Sequence, residues 1–505
     1  MYRLKIHGEG IRLIENVPKG TVLLDILRAE GYELYSPCGG NGTCGKCRVY
    51  LRDKGYVTSC LYPVTEDAEI VLPEKSEIKV LTAQYRYSRQ LDPDPGEHLR
   101  LSSRSTGVAI DVGTTTLVFH FIRLSAGSLI ETHTAQNPQA KYGADVISRI
   151  NYCLSVPNGL KILQKELIDT VNLHLARFIG KAGGSERDII KLCFSGNTTM
   201  LHILLGMNPG PLAFAPFTPA FTGEKTLRAA ELQLSCNPDG LVKILPSLSA
   251  YVGADIVAGI ATLAPQKDHQ NFLFVDMGTN GEIALITPDT IYCCAAASGP
   301  AFEGANIECG MTATEGAIMR YYESANFQVI GDVKPVGLCG SGLIDVVASL
   351  VRTLKIPADG HMEENIIVVS GEESGTSQDI YLTPKDIREV QLAKSAIAAG
   401  ISILMGQGGL SVNEINVLYL AGGFGNYIRS ESAANIGLIP FELYDKVIPV
   451  GNASGTGAFL SAKSVVFDKI INELLSKMKY FELSDNPGFI EQFAMNIDFP
   501  SSGKC

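Results

Sequence analysis

The chain has 505 residues, of which 46% are hydrophobic, enough for a small domain beside a large or two-lobed one. Its formal net charge of −11 disfavours general binding to nucleic acid or anionic membranes, and the sequence contains no apolar run that predicts a transmembrane helix. The 12 cysteines, with an N-terminus that lacks an apolar signal segment, indicate a reducing, cytoplasmic location.

The N-terminal region predicts a small α+β domain. Residues 3–17 have the pattern of two strands joined by a turn, and residues 22–30 have the pattern of a helix. Alternating apolar residues predict further strands at 47–51 and 69–72. We place this domain at residues 1–81.

The cysteines of this region follow the pattern C-x5-C-x2-C-x12-C, with glycines in the first gap. Such spacing lets a tight loop place thiolates and main-chain N–H groups around one iron–sulfur cluster. Structural zinc sites usually use two separated pairs, and disulfides need an oxidising compartment, so both alternatives fit less well. The predicted ligands of a [2Fe–2S] cluster are Cys38, Cys44, Cys47 and Cys60.

The order of these elements resembles the β-grasp fold of the [2Fe–2S] ferredoxins, although the gap before Cys60 is shorter than is usual there. Cys60 is the predicted fourth ligand because the next cysteine, Cys153, falls in what is expected to be another domain.

The remaining chain predicts a linker and an α/β domain. Residues 82–105 are polar, contain two prolines and show no regular period, which indicates a linker. Apolar strands then alternate with helices over residues 106–505. We expect a first lobe at about 106–265, a second lobe at about 270–480 and a C-terminal tail at 481–505.

Two segments of this domain share an aspartate followed by a glycine–threonine turn, and a third glycine loop follows a strand at 417–420. A carboxylate at a strand end can hold Mg²⁺, glycines let main-chain N–H groups approach phosphate, and threonine hydroxyls add donors. One such turn is a weak signal, but two copies in this order are specific, and no G-x-x-x-x-G-K-[ST] motif occurs. The residues predicted to surround ATP are Asp111, Gly113, Thr114, Thr115, Thr116, Asn197, Asp276, Gly278, Thr279, Asn280, Gly281, Gly422, Gly423, Phe424 and Gly425.

This arrangement resembles the superfamily of acetate and sugar kinases, Hsp70 and actin. The resemblance implies two duplicated, ribonuclease H-like lobes with ATP in the cleft between them. Asn197 contacts phosphate or merely caps a helix, and the sequence favours neither reading. No carboxylate could be assigned as a catalytic base, so we expect hydrolysis rather than transfer to a hydroxyl substrate.

Longer strings resemble the reductive activators of corrinoid-dependent enzymes, among them GNTTMLHILLG, PSLSAYVGADIVAGI, FVDMGTNGEIAL, SGPAFEGANIECGM and LAGGFGNYI. The resemblance implies an ATP-hydrolysing enzyme that passes single electrons through its cluster to a corrinoid protein and returns Co(II) to Co(I), in a methyltransferase or O-demethylase system. An unknown low-potential donor would supply the electrons. Because the linker runs straight into Gly107, the extra middle domain of the best-known members is expected to be missing.

Two other functions remain open at this point: activation of another enzyme, such as a 2-hydroxyacyl-CoA dehydratase, and a nucleotide or redox sensor. We expect no nucleic-acid or membrane partner, and assembly into a homodimer is left open. The spacing of four further cysteines fits no ligand pattern, so buried thiols are predicted at Cys293, Cys294, Cys309 and Cys339.

Overall fold

A computed structural model describes most of the chain. The described residues are 1–7, 10–30, 32, 34, 40, 42, 47–72, 91–96, 99, 101–263, 270–278, 280–322, 326–331, 333–422 and 425–501, without the side chain of Asn426. The chain forms two compact units, one of residues 1–77 with 138–159 and one of residues 78–137 with 160–505. Among the described residues, no helix is long and apolar enough to cross a membrane.

The first unit contains a five-stranded sheet and one short helix that packs on it. Its elements are β1 (Tyr2–His7), β2 (Ile11–Val17), α1 (Leu23–Ala29), β3 (Arg48–Leu51), β4 (Gly55–Thr58) and β5 (Ala68–Val71). The strand order is β2-β1-β5-β3-β4, and β1 runs parallel to β5. This is the predicted β-grasp fold, with α1, β3 and β5 within two residues of their expected bounds, whereas β4 was not predicted.

Alternation along the strands and helical spacing in α1 build the core of this sheet. Leu4 and Ile6 point inward from β1, and Leu23 and Leu27 of α1 meet them in one buried cluster. The unit also contains α2 (Val146–Ser155), which begins at Asp145 because that side chain accepts a hydrogen bond from the Ser148 N–H at 2.8 Å.

The second unit contains two six-stranded sheets. The first sheet, here called lobe I, is accompanied by three helices. Its elements are β6 (Thr106–Val112), β7 (Thr116–Arg123), β8 (Ser128–Gln136), α3 (Gly159–Ala182), β9 (Ile189–Gly196), α4 (Thr198–Leu204), β10 (Lys225–Arg228), β11 (Leu241–Ile244) and α5 (Ala254–Leu263). The strand order is β10-β11-β9-β6-β7-β8.

The second sheet, here called lobe II, repeats this plan. Its strands are β12 (Phe272–Met277), β13 (Gly281–Ile286), β14 (Ile291–Ala296), β20 (Val417–Ala421), β21 (Val447–Gly451) and β22 (Met478–Tyr480). The order is β21-β20-β12-β13-β14-β22. In lobe I the antiparallel strands β6, β7 and β8 follow one another, and β9 and β11 pair in parallel on the free edge of β6. In lobe II the strands β12, β13 and β14 do the same, and β20 and β21 pair in parallel on the free edge of β12. The predicted duplication is therefore confirmed.

Between β14 and β20 the chain forms two small sheets and two helices. These elements are β15 (Ala317–Tyr322), β16 (Asn326–Val329), β17 (Gly337–Leu338), α6 (Gly340–Arg352), β18 (Ile366–Val369), β19 (Ile380–Leu382) and α7 (Pro384–Gly408). The remaining helices are α8 (Ser430–Asn435), α9 (Ala453–Lys463), α10 (Val465–Lys477) and α11 (Phe489–Met495).

Helix α9 follows β21 of lobe II in the chain, yet it packs on β6, β7 and β9 of lobe I and on α5. Gly457 allows the close approach to α5, since a Cβ there would lie 2.6 Å from the Cβ of Ala258. The end of one lobe therefore forms part of the core of the other.

Candidate functional site

The two predicted aspartates occupy equivalent positions in the two lobes. Asp111 lies near the end of β6, beside Ser195 of β9, and Asp276 lies near the end of β12, beside Ala421 of β20. Because both aspartates stand where the strand order reverses, each carboxylate lies at the switch point of its sheet. The structure therefore places the two aspartates at equivalent strand ends of the two lobes.

The carboxylate of Asp111 is fixed by residues from the start of α9. Asn452 Nδ2 donates to one of its oxygens at 2.9 Å, and Ser454 Oγ donates to the other at 2.6 Å. Ser454 also lies 3.0 Å from Ser195 Oγ. These two residues were missed by the sequence interpretation, because GNASGTG lies 340 residues away in the chain and its first clear role is to cap a helix.

The turn after Asp111 is held by asparagines. Asn137 Nδ2 donates to the Gly113 carbonyl at 2.8 Å, and Asn197 Nδ2 donates to Thr114 Oγ1 at 2.9 Å. The Oδ1 atom of Asn197 accepts from the Met200 N–H at 2.9 Å, so Asn197 caps α4. Its capping role is confirmed, and the same side chain also orients a threonine of the predicted phosphate turn.

The third glycine loop meets the second aspartate. Gly422 has φ +95°, and a Cβ at this position would lie 2.8 Å from Asp276 Oδ1. Only glycine avoids this contact without strain. Thr279, Gly423 and Phe424, which were predicted to line the same site, lie outside the described residues.

Two further carboxylates join this site. Glu282 lies directly across the strand pair from Asp276. Asp255 stands in the first turn of α5, where Gly253 packs against the main chain of Asn197. Both residues occur in strings that the sequence analysis had quoted, but no local pattern marked them as site residues.

Burial raises the pKa of all four carboxyl groups, and repulsion from neighbouring carboxylates adds to the shift at Asp255, Asp276 and Glu282. Burial is the largest cause in each case, and it raises the pKa of Asp255 to about 8 and that of Asp276 to about 7, with neighbouring carboxylates adding to both shifts. The pKa of Glu282 is held well above its usual range, and that of Asp111 is raised by burial although Ser454 and Asn452 oppose the shift. Within the described ranges, no group of three or more Asp, Glu, His or Cys side chains is arranged to hold one metal ion, so a cation here would need further oxygen ligands, such as those of a phosphate.

A cavity of about 220 Å³ lies among β15, α6 and α8, and its lining includes Tyr322, Ser349, Arg352, Arg429 and Asn435. Arg429 Nε donates to the buried Asp345 at 3.0 Å, and its guanidinium lies 5.4 Å from the centre of the Tyr322 ring. Asp345 and the Tyr322 ring therefore hold the Arg429 guanidinium in one orientation. The sequence analysis did not identify this cavity, because its lining comes from three separate elements.

The candidate cluster site is described in part. Cys47 and Cys60 are buried in one small cluster with Leu24, and the Cys60 N–H points to Cys47 Sγ at 3.4 Å. The hairpin β3–β4 fills the gap between them and brings Cys60 back to Cys47. Thiols that receive main-chain N–H groups suit an iron–sulfur cluster. Cys38 and Cys44 lie outside the described residues.

Cys153 was set aside as a cluster ligand because it was expected to lie in another domain. It stands on α2, which belongs to the first compact unit. Burial raises the pKa of its thiol to about 11, which disfavours the thiolate.

The predicted burial of Cys293, Cys294 and Cys339 is confirmed, whereas Cys309 is only partly buried. Burial raises the pKa of both Cys293 and Cys294.

Comparison with known proteins assigns each region. A model described as the 2Fe-2S iron-sulfur cluster binding domain matches residues 5–72. The model of the middle region of RACo matches residues 106–268, and that of the C-terminal domain of RACo, the ASKHA domain, matches residues 270–504.

The corrinoid activation enzyme RamQ of Eubacterium limosum is 30% identical to this chain, over 96% of the chain and 97% of its own length. This chain belongs to the family of corrinoid activation enzymes. A [Co(II) methylated amine-specific corrinoid protein] reductase of Methanosarcina barkeri is 24% identical over 69% of the chain and 68% of its own length. The solved structure of a reductive activator for a corrinoid, iron-sulfur protein matches with a TM-score of 0.71 and 28% identity, over 99% of both chains.

The match to the middle region overturns one expectation. A counterpart of that region was predicted to be missing, but residues 106–268 match it, and the strands of lobe I lie within this span. The error arose because lobe I begins directly after the linker and was interpreted only as half of the nucleotide-binding domain.

Proposed function

We propose that this protein is an ATP-dependent reductive activator that transfers single electrons to a partner corrinoid protein and returns its cobalt from Co(II) to Co(I). One observation carries this proposal: a single chain of the family joins a cysteine pair in a β-grasp unit to two aspartates, one at the switch point of each duplicated lobe. We place the protein in the cytoplasm, where its thiols stay reduced.

The carboxylate cluster accounts for the nucleotide part of this function. We assign Mg²⁺ to Asp111 and Asp276, and the triphosphate to the turns at 113–116 and 278–281. Asn137 and Asn197 hold the first turn in shape, while Asn452 and Ser454 orient Asp111. Asp255, with a pKa near the operating pH, can accept a proton from the attacking water.

The cavity at Arg429 is assigned to the base end of the nucleotide. At about 220 Å³ it is smaller than the roughly 300–1,000 Å³ of complete ligand sites, so it suits one part of a ligand. A flat guanidinium held by Asp345 offers a stacking surface that a lysine cannot replace. We expect Arg429→Lys to weaken ATP binding about tenfold, measured by equilibrium titration, and an unchanged affinity would contradict this assignment.

We assign the cluster as [2Fe–2S] and its ligands as Cys38, Cys44, Cys47 and Cys60. When bound, such a cluster carries one electron at low potential. The protein residues bury the site and supply the N–H of Cys60 to sulfur.

The fourth ligand is tested by comparing Cys60→Ser with Cys153→Ser, since Cys153 is the one cysteine in the described part of the first unit that is not assigned to the cluster. Cys60→Ser should lose or alter the reduced EPR signal and the iron content, because serine binds iron less well than a thiolate. Cys153→Ser should retain both. A normal spectrum and iron content in Cys60→Ser would contradict the ligand assignment.

The role of ATP is tested by its effect on electron transfer. ATP can favour formation of Co(I) only if it binds one conformation of the complex better than the other. We expect stopped-flow mixing of the reduced protein with the Co(II) form of a methyltransferase corrinoid protein to yield Co(I) with Mg-ATP and little without it. Equal yields in both conditions would reject the proposal.

A further inference from the structure

The end of the linker is bound firmly to the junction of α9 and α10. The Asp94 N–H donates to the Lys463 carbonyl at 3.0 Å, and the Val465 N–H donates back to the Asp94 carbonyl at 2.9 Å. These two bonds make Asp94 a parallel bridge partner of Ser464. Along the chain, residues 91–96 lie within the predicted linker 82–105, between the iron–sulfur unit and β6. The contact therefore fixes one segment of the linker, residues 91–96, which is here called the linker end.

A buried lysine strengthens the same junction. Lys191 of β9 is 1% exposed, and its ammonium donates to the Pro95 carbonyl at 3.1 Å and to the Ser461 carbonyl at 3.0 Å. Burying an ammonium costs several kcal/mol unless good partners offset the loss of water. Here both partners are main-chain carbonyls, one from the linker and one from the last turn of α9.

The other end of α9 is at the nucleotide site. Asn452, which caps this helix, and Ser454 in its first turn both donate to Asp111. The helix has 11 residues and is therefore about 16 Å long. Nine of its residues are buried, and Gly457 fits tightly against α5, so α9 has little freedom to bend.

We propose that α9 acts as a rigid connection through which the nucleotide at Asp111 changes the binding of the linker end at Lys191. This proposal rests on the proposed function, since it assigns the route by which ATP controls the linker that follows the iron–sulfur unit in the chain. When Asp111 binds a cation and phosphate, its hydrogen bonds with Asn452 and Ser454 change. Because α9 is rigid, a displacement of its first turn also displaces its last turn, where Ser461 contacts Lys191.

Linkage makes the effect reciprocal. If the nucleotide favours one position of α9, loss of the linker contact must change the affinity for the nucleotide by the same factor. Lys191 lies at the far end of α9 and contacts no residue assigned to the nucleotide, so an effect of its substitution on affinity reports this coupling.

The chain offers a matched control. Lys394 is also 1% exposed, and its ammonium also donates to two main-chain carbonyls, those of Asn496 and Asp498. Those carbonyls belong to the C-terminal segment and not to α9 or the linker. Lys191→Met and Lys394→Met therefore remove the same type of buried contact at two places. Asp94→Pro is a second variant, which keeps Lys191 but removes the N–H that donates to Lys463, together with the carboxylate that accepts from the Gly96 N–H.

The test uses the full-length protein with the non-hydrolysable analogue AMPPNP and Mg²⁺. We expect the analogue to change hydrogen exchange in peptides that cover 91–96 and 461–465, and Lys191→Met and Asp94→Pro to abolish this response. Both variants should also shift the Kd of AMPPNP by at least about fivefold, the lower end of the usual coupling range. Lys394→Met should retain the response and the affinity.

Binding of AMPPNP to the wild type with no change in exchange at 91–96 would overturn the inference and leave the proposed function intact. A response that survives in both Lys191→Met and Asp94→Pro would also overturn it. Failure of the wild type to bind AMPPNP would reject the nucleotide part of the proposed function, and the inference with it.

Discussion

The two lobes place the same strand-end aspartate in different surroundings. Asp111 of lobe I accepts hydrogen bonds from Asn452 and Ser454, whereas no donor within the described ranges reaches Asp276 of lobe II. Asp276 instead faces Glu282 across its strand pair. Duplication has therefore kept the position of the carboxylate but not its role: one is oriented by the protein, and the other carries negative charge that a bound cation can balance.

The largest expected effect comes from neutralising either aspartate. Asp111→Asn and Asp276→Asn should each lower ATP hydrolysis by about 10²–10³-fold, because each removes charge that stabilises the metal and the developing negative charge. Their effects on stability should differ. Asp276→Asn should raise the thermal midpoint of the apo-protein by relieving repulsion, whereas Asp111→Asn places an amide against the Asn452 donor and should not.

Measuring hydrolysis and thermal unfolding of both variants separates these effects. Equal stabilisation by the two substitutions would contradict the proposed difference between the lobes, because Asp111 and Asp276 would then experience the same repulsion.

A smaller effect is expected from Ser454→Ala. This change removes the hydroxyl that donates to Asp111 and lies beside Ser195, which costs about 1–3 kcal/mol for a buried pair. We expect about a tenfold loss of hydrolysis with little change in the KM for ATP, since the carboxylate remains but is less well oriented. Thr456→Ala, in the same helix, is the control because its hydroxyl bonds only the Asn452 carbonyl. Equal losses in both variants would indicate damage to α9 rather than to Asp111.

The smallest effect is a dependence of stability on pH. The folded-state pKa values of Asp276 and Asp255, about 7 and about 8, lie above the unfolded value of about 4. The folded apo-protein therefore holds protons that the unfolded chain releases, and its stability should fall as pH rises from about 4 to about 8. Mg²⁺ should stabilise it more at pH 8 than at pH 6, because ionised carboxylates bind the cation.

Thermal unfolding across this pH range, with and without Mg²⁺, measures the slope. Asp276→Asn should flatten it, and an unchanged slope in that variant would show that this group is not its source.

The sequence predicted the parts of the fold and site that depend on local patterns. Asp111 and Asp276 end apolar strands, Gly422 follows another, and the cysteine spacing marks a metal loop, so a short window of sequence sufficed for each. The missed residues depend on long-range packing. Asn452 and Ser454 reach Asp111 only because α9 crosses to lobe I, and Glu282 matters only because strand pairing places it opposite Asp276.

Asp255 was missed for a related reason. A single acidic residue in the first turn of a helix is common, since it complements the helix dipole. Its importance follows from the contact between Gly253 and Asn197, which the order of residues does not reveal.

The position of α9 also has a consequence for how the protein is made. Lobe I is encoded early in the chain, but its sheet is covered by α9, and Asp111 obtains its hydrogen bonds from residues 452 and 454. A chain still emerging from the ribosome thus has an unfinished first lobe until nearly nine-tenths of it has been synthesised. Lobe II must wait longer, because its sheet ends with β22 at Met478–Tyr480. Neither lobe can reach its final form alone, so we expect the ATP site to appear only as translation ends, as one late and cooperative event.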